Sequence, residues 1–280
     1  MNSTHTISMI STHTISMISA LLIGLSPEIL SANDELWQKC VTFVNNAPTM
    51  VPGRIELKET VTDENGKIHQ DSSTTLDVFS NEPGIGVHLV RFLENGKDAT
   101  EDSREMIEGV ASSELRSLKQ EIPFIANDPT ALISSVHPAR LNVRGSECIG
   151  YRFEIDDSNL AEAAEQPFHL KGVIWIDPAT AVPLQIDTEM VDLPKKDGDA
   201  EILSFTRTVT FSTENGSWIK DSESLDVELK AKMLFGRKNF KVRNRSSFHK
   251  HWNLNTGNTT SGTGENPPAD KIPHTESQTG

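Results

Sequence analysis

The stretch GVIWIDPATAVPLQI, residues 172–186, decides the fold of this chain. In an extended strand successive side chains alternate between faces, so Ile174 and Ile176 share one side while Trp175 and Asp177 take the other. Asp177-Pro178-Ala179-Thr180 has turn chemistry, with a Pro beside an Asp that can hydrogen-bond its own backbone two residues on. Beyond it, Leu184 and Ile186 resume the period of two. A strand, a tight turn and a second strand, each with one apolar face, make an antiparallel pair with one side toward a core and one toward water.

The pattern extends in both directions. Upstream, Ile149, Tyr151, Phe153 and Ile155 share a face, followed by Phe168 and Leu170. Downstream come Met190, then Leu203, Phe205, Val209 and Phe211, then Leu225, Val227, Leu229, Ala231 and Met233, and last Phe240, Val242 and Phe248. Turn signals separate these runs at 144–146, 196–199, 214–217 and 236–238. Nearer the N-terminus, Ile55, Leu57 and Val61 lead to a hairpin turn at Asp63-Glu64-Asn65-Gly66-Lys67, then to Leu76 and Val78 and a strand over 86–94. Three segments have helical spacing instead: 34–44, 102–120 and a short piece over 130–136.

Trp218 to Phe235 reads as one strand of about 18 residues, where 5–6 is usual, so the sheet must bend strongly. A curved, unclosed sheet with an apolar concave side needs a cover, and the three helical segments are the candidates. The fold class expected is therefore α+β, mainly antiparallel β: a curved half-barrel sheet with a helical lid, over residues 33–252. Residues 253–280 are nearly devoid of apolar side chains and read as a disordered tail.

The first residues stand apart, with Ser-Thr-His-Thr-Ile-Ser-Met-Ile at 3–10 repeated at 11–18 and no Lys or Arg. The apolar run from Ile15 to Leu25, then Ser31-Ala32 before Asn33-Asp34-Glu35, reads as a signal peptide over 1–32 and implies export to the periplasm. That run is far shorter than a bilayer span, so the chain is not expected to be transmembrane. The net charge of −14 argues against nucleic acid as a partner and against general attraction to anionic surfaces. In an oxidising compartment the two cysteines, Cys40 and Cys148, form one disulfide or remain two separate buried thiols.

Signatures of catalysis are missing. There is no Gly-x-Ser-x-Gly elbow, no phosphate-cradling glycine loop and no His-Glu-x-x-His helix, and no cofactor is implied. His249 and His251 would share a strand face and could chelate a metal, but no third ligand is identifiable. The acidic groups at 156–157, 197–199 and 221–228 read as solvated turn and surface charges rather than paired catalytic carboxylates or calcium ligands. Trp175, on the outer face, either borders a ligand mouth or packs under a neighbouring element. The feature with most weight is the broad apolar face formed by Ile55, Leu57, Leu76, Val78, Ile174, Ile176, Leu184, Ile186, Phe205, Val209, Leu229 and Met233. It either lines an open cavity or is filled by the lid as an ordinary core.

Pro123-Phe124 and Pro129, then Gly145-x-x-x-x-Gly150-Tyr151-Arg152-Phe153-Glu154-Ile155, then Gly172 to Ile186, together resemble the LolA/LolB/RseB-like group. That group contains outer-membrane lipoprotein carriers, the periplasmic regulator RseB and uncharacterised "outer membrane lipoprotein-sorting protein" relatives. The resemblance covers roughly residues 34–252 and lies in turns and core positions. It implies an eleven-strand-like half-barrel with a helical lid over an apolar cavity that accepts acyl chains. The chain departs from the carriers in its 157–166 loop and in lacking a segment that aligns with their ligand-controlling arginine. The expected function is a periplasmic carrier-like protein, not an enzyme, that holds the acyl chain of a lipid or lipoprotein. The alternative is an envelope sensor resembling RseB, with an envelope protein as partner.

Overall fold

The computed structural model describes residues 35–48, 50–81, 84–117, 133–156, 169–192, 200–233 and 236–253. The expected leader and most of the expected tail lie outside them. Helix α1 (Glu35–Asn46) opens the described chain and is followed by β1 (Met50–Val51), β2 (Arg54–Asp63), β3 (Ile68–Asn81), β4 (Gly84–Glu94) and β5 (Lys97–Asp98). Helix α2 (Thr100–Ser117) precedes β6 (Ile133–Val143), β7 (Ser146–Asp156), β8 (His169–Ile176), β9 (Pro183–Asp192), β10 (Ala200–Glu214), β11 (Ser217–Met233), β12 (Gly236–His249) and β13 (Trp252–Asn253).

Eleven strands form one curved, open antiparallel sheet in the order β5-β4-β3-β2-β12-β11-β10-β9-β8-β7-β6, and β1 pairs with β13 in a two-stranded accessory. This is the half-barrel. Three of its hairpins close with two-residue turns at Asn95-Gly96, Arg144-Gly145 and Asn215-Gly216, where both central residues have positive φ. That geometry matches the right-handed twist of the strands, and Asn-Gly suits it. At Asp177 the side chain accepts from the Ala179 amide at 3.0 Å and the Thr180 hydroxyl at 2.8 Å, so the carboxylate builds the turn read in the sequence. β11 runs 17 residues, and register shifts between β10 and β11 accompany its bend.

Phe153 and Gly172 are cross-strand partners, and a methyl on Gly172 would meet the Asp187 carbonyl oxygen of β9 and the Phe153 ring. A glycine is needed there for the aromatic ring to lie flat over the sheet.

Helix α1 faces the sheet with Trp37, Cys40, Val41 and Val44, all buried. They pack against Tyr151, Phe153, Ile174, Ile176, Val209, Phe211 and Trp218. Helix α2 does a different job. Its Ala111 and Ile107 join a cluster with Ile55, Leu76, Leu89 and Phe248. In addition the Leu89 amide donates to Glu108 Oε1 at 2.8 Å, and Arg104 Nη1 donates to the Leu89 carbonyl at 2.7 Å. Those backbone groups belong to the outer edge of β4, which β5 covers only at Leu93 and Glu94. The helix thus caps an exposed sheet edge with side chains as well as covering apolar surface.

The third expected helix does not form where it is described. Ile133 to Val136 belong to β6 and pair with β7, with Ile133 opposite Phe153 and Val136 opposite Tyr151. The β-branched Ile133 and Val136 suit a strand, Pro138 is tolerated because β6 is an edge, and pairing overrides the short helical spacing. No described helix is long and apolar enough to cross a membrane.

Candidate ligand-binding face

The alternation places the apolar residues on the inner face, but in three clusters rather than one. Ile174, Ile176, Ile186 and Val209 lie under α1. Ile55, Leu76 and Val78, with Leu57 at the margin, pack near α2. Phe205 and Leu229, with Met233 beside them, form the third cluster with Val61, Val227, Phe240 and Val242. Of the twelve, only Leu57, Leu184 and Met233 are less than fully buried. Leu184 sits by a register shift between β8 and β9 and touches both the α1 cluster and an outer one. The chain's own side chains therefore fill much of the face, which is the lid-filled alternative. Among the described residues, two hollows lie elsewhere. One of about 360 Å³ is bordered by Asp226, Glu228, Lys241 and Arg243 on the polar side of the sheet. The other, of about 400 Å³, lies between α1 and the turn at 178–181.

Charged groups stand where the three clusters meet. Along β10 the inward phase runs Phe205, Arg207, Val209, and on β11 their partners are Val227, Leu225 and Glu223. Arg207 Nε donates to Glu223 Oε1 at 2.7 Å, and Lys220 Nζ donates to Glu223 Oε2 at 2.6 Å. All three side chains are largely buried, at 15%, 13% and 19% exposed, so the cluster is desolvated rather than rim-like. Lys220 Nζ also lies 4.6 Å from the centre of the Phe248 ring, a cation–π contact with the α2 side of the bowl. Burial alone pushes the Glu223 carboxyl up, but Arg207 and then Lys220 overcome it and hold the carboxyl below its ordinary range.

A second polar centre continues the band across β2, β3 and β12. Glu59 Oε1 accepts from Gln70 Nε2 at 3.2 Å, and Asn244, its cross-strand partner, donates to Glu59 Oε2 at 3.1 Å with its amide nitrogen turned toward it. Gln70 and Asn244 are buried. The inner face is thus two apolar wings and an apolar base divided by a polar band.

Sequence reading passed over this band. The acidic run 221–228 read as surface charge, and much of it is: Asp226 pairs with Arg243 and Arg245, and Glu228 with Lys241, on the outer side. Glu223 differs because it is in phase with Leu225 and Val227. A charge on the apolar phase of two adjacent strands, Arg207 and Glu223, was the available signal. Of the other acidic groups, residues 157 and 197–199 lie outside the described residues.

The His249 and His251 pair does not form. β12 ends at His249, Lys250 turns with φ 56°, and His251 folds inward, 3% exposed, with Nε2 donating to the Lys220 carbonyl at 2.8 Å. Because the acceptor is a carbonyl, Nε2 carries a proton. Among the described residues no group of three His, Cys, Asp or Glu is placed to hold a metal ion.

Burial depresses the His251 pKa, against the opposing pull of the Lys220 carbonyl, Asp221 and Glu214. A base whose folded pKa lies below its unfolded value contributes stability that is complete above about pH 6.5 and lost as pH falls from there toward the folded value. Denaturant midpoints are expected to fall between neutral and mildly acidic pH, and His251→Gln should flatten that slope. An unchanged slope in the variant would remove His251 as its source.

The cysteines are free. Cys40 packs into the inner cluster from α1, whereas Cys148 belongs to the outward phase of β7 with Val143, Val173 and Trp175. The β7 layer separates them, so the disulfide reading is corrected to two buried thiols. Trp175 packs over Gly150 beside His137 and donates to Asp187 Oδ2 at 2.7 Å, which makes it an outer-face anchor.

No family model matches the sequence, and no curated protein matches it. Among solved structures, a DUF1329 family protein from Desulfovibrio piger is similar over 76% of this chain and 91% of its own, at 10% identity and a TM-score of 0.29. A likeness at that level carries no functional argument, and the site is read from its own residues.

Proposed function

We propose that this protein is an exported, carrier-like binding protein that shelters the acyl chain of a lipid or lipoprotein against the inner face, in the place α1 occupies. What carries the reading is the attachment of α1. A 12-residue helix holds to the sheet through one stripe, Trp37, Cys40, Val41 and Val44, over an apolar wing bounded by the Arg207–Glu223–Lys220 cluster. An acyl chain offers that wing a comparable apolar surface, with each methylene contributing on the order of 0.8 kcal/mol. Binding then amounts to exchange of one apolar cover for another, and the charged band keeps the chain on the α1 side.

Cys40 reports on the exchange. It is fully buried, and burial pushes its thiol up to about 12, so with α1 seated it is inert to thiol reagents. In a Cys148→Ala background, a long-chain lysophospholipid is expected to accelerate labelling of Cys40 by at least tenfold, while a short-chain analogue of the same headgroup leaves it slow. Equal, slow labelling with both would remove the exchange mechanism.

A second reading is favoured by the dense packing of the inner face: a sensor or interaction module for an envelope protein, with no ligand inside. Lipid extraction from natively purified protein separates the two. A stoichiometric amphiphile supports carriage, whereas an empty protein that captures one envelope partner supports the module.

A further inference from the structure

One cross-strand row crosses the inner face of six strands and is almost entirely polar. Thr188 of β9 lies opposite Arg207 of β10, Arg207 opposite Leu225 of β11, Leu225 opposite Asn244 of β12, Asn244 opposite Glu59 of β2, and Glu59 opposite Ser72 of β3. At about 4.8 Å between neighbouring strands the row is roughly 24 Å long. In the next row Ser246 of β12 stands between Glu223 and Leu57. These residues share the phase of the apolar clusters, so here the inward side of the sheet turns from apolar to polar.

Two features separate this row from a purely structural polar network. Burying polar groups costs stability unless each is paired, yet Gln70, 5% exposed, donates to Glu59 and leaves its own Oε1 buried without a partner. Thr188, Glu59, Ser72 and Ser246 are meanwhile only half-buried, so the row keeps accessible surface where the apolar side chains around it are mostly buried. Its charges cancel, because Glu59 and Glu223 are matched by Arg207 and Lys220, and no net charge is left to select an ion. Hydroxyls and amides remain, and these both donate and accept hydrogen bonds. A ligand group that does the same is a hydroxylated one.

We infer, resting on the carrier reading, that this row binds the neutral polyhydroxyl headgroup, a sugar or a polyol, of the amphiphile whose acyl chain takes the place of α1. Contiguity joins the two halves of the ligand. Arg207 belongs to the row, and Val209, two residues along the same phase of β10, belongs to the cluster under α1, so a head lying on the row leaves its tail at that wing. A hydroxyl of the head supplies the donor that Gln70 Oε1 lacks.

Two detergents with the same tail test it on the full chain, each below its micelle concentration. Decyl maltoside carries a hydroxylated head, whereas the ether oxygens of decyl octa(ethylene glycol) accept hydrogen bonds and only its terminal hydroxyl donates. Calorimetric titration should give the maltoside an affinity roughly tenfold higher, the worth of about two hydrogen bonds. S72A/S246A should bring the ratio of affinities close to one while leaving the glycol affinity and the urea midpoint unchanged, and Q70M, checked for folding in the same way, should lower the ratio severalfold. Equal affinities in wild type, or a preference that both folded variants keep, would overturn the headgroup site and leave tail binding standing. Binding of neither detergent would overturn it together with the carrier reading. Preference for the maltoside without faster Cys40 labelling would support the row and remove exchange at α1. Maltose alone is expected to bind far more weakly than the maltoside, and equal binding would overturn the lipid as the source of the head in favour of a free sugar.

Discussion

Replacing Glu223 by Gln should cost this protein about 3–5 kcal/mol of folding stability, because it leaves two largely buried cations without the carboxylate they share. The wild-type arrangement satisfies both carboxylate oxygens, one from Arg207 and one from Lys220, at hydrogen-bond distances typical of charged pairs. An amide of the same shape keeps the packing, so the loss measures the charge. Equilibrium urea unfolding at neutral pH checks it, and a change under about 1 kcal/mol would show that water reaches the cluster and screens it.

Acid titrates the same interaction. The folded carboxyl is held below its ordinary value, so its contribution is complete above about pH 4.3 and is lost as pH falls below that toward the folded value. E223Q should therefore lose less stability on acidification than wild type. Replacing all three residues together, as R207M/K220M/E223L, should be neutral or stabilising, since an apolar cluster of similar volume removes the desolvation cost along with the pairing. If the triple variant is as stable as wild type yet loses ligand exchange at Cys40, the charged band serves binding rather than folding.

Trp218→Ala should be comparably damaging, at about 3–5 kcal/mol for a large aromatic removed from a packed interior. Trp218 is buried and stacks on Phe211 with ring centres 4.4 Å apart. Its Nε1 donates to the Pro183 carbonyl at 3.0 Å, tying β11 to the start of β9. Trp218→Phe separates the contributions: it keeps the stack but strands a buried carbonyl, for a loss of about 1–3 kcal/mol. Unfolding midpoints of the two variants provide the measurement, and equal losses would mean the hydrogen bond, not the ring, dominates. Because the cavity left by Ala opens in the cluster that holds α1, this variant should also expose Cys40 to thiol reagents.

The local elements were legible because short-range physics determines them. Two-residue alternation from Ile55 to Phe248 specified strands with one apolar face, and turn signals such as those at 177–180 and 214–217 marked where strands reverse. The helical stripe of Leu36, Trp37, Cys40, Val41 and Val44 specified α1. Antiparallel, one-sided curvature followed from the length of β11. Pairing partners across the sheet, such as β2 beside β12, were not readable in this way, because they depend on contacts between residues far apart in sequence.

What the sequence by itself determined is the phase of each strand, hence which side chains face inward. Only the tertiary structure decided how those inward residues are shared out among neighbours. Arg207 and Glu223 interrupt the apolar phase of their strands in one dimension and become a desolvated pair only when β10 and β11 align. Ile133 to Val136 became strand through pairing with β7, and Cys40 and Cys148 were kept apart by the sheet layer between them. Periodicity along a chain fixes direction, whereas dielectric environment and distance between side chains are properties of the packed interior.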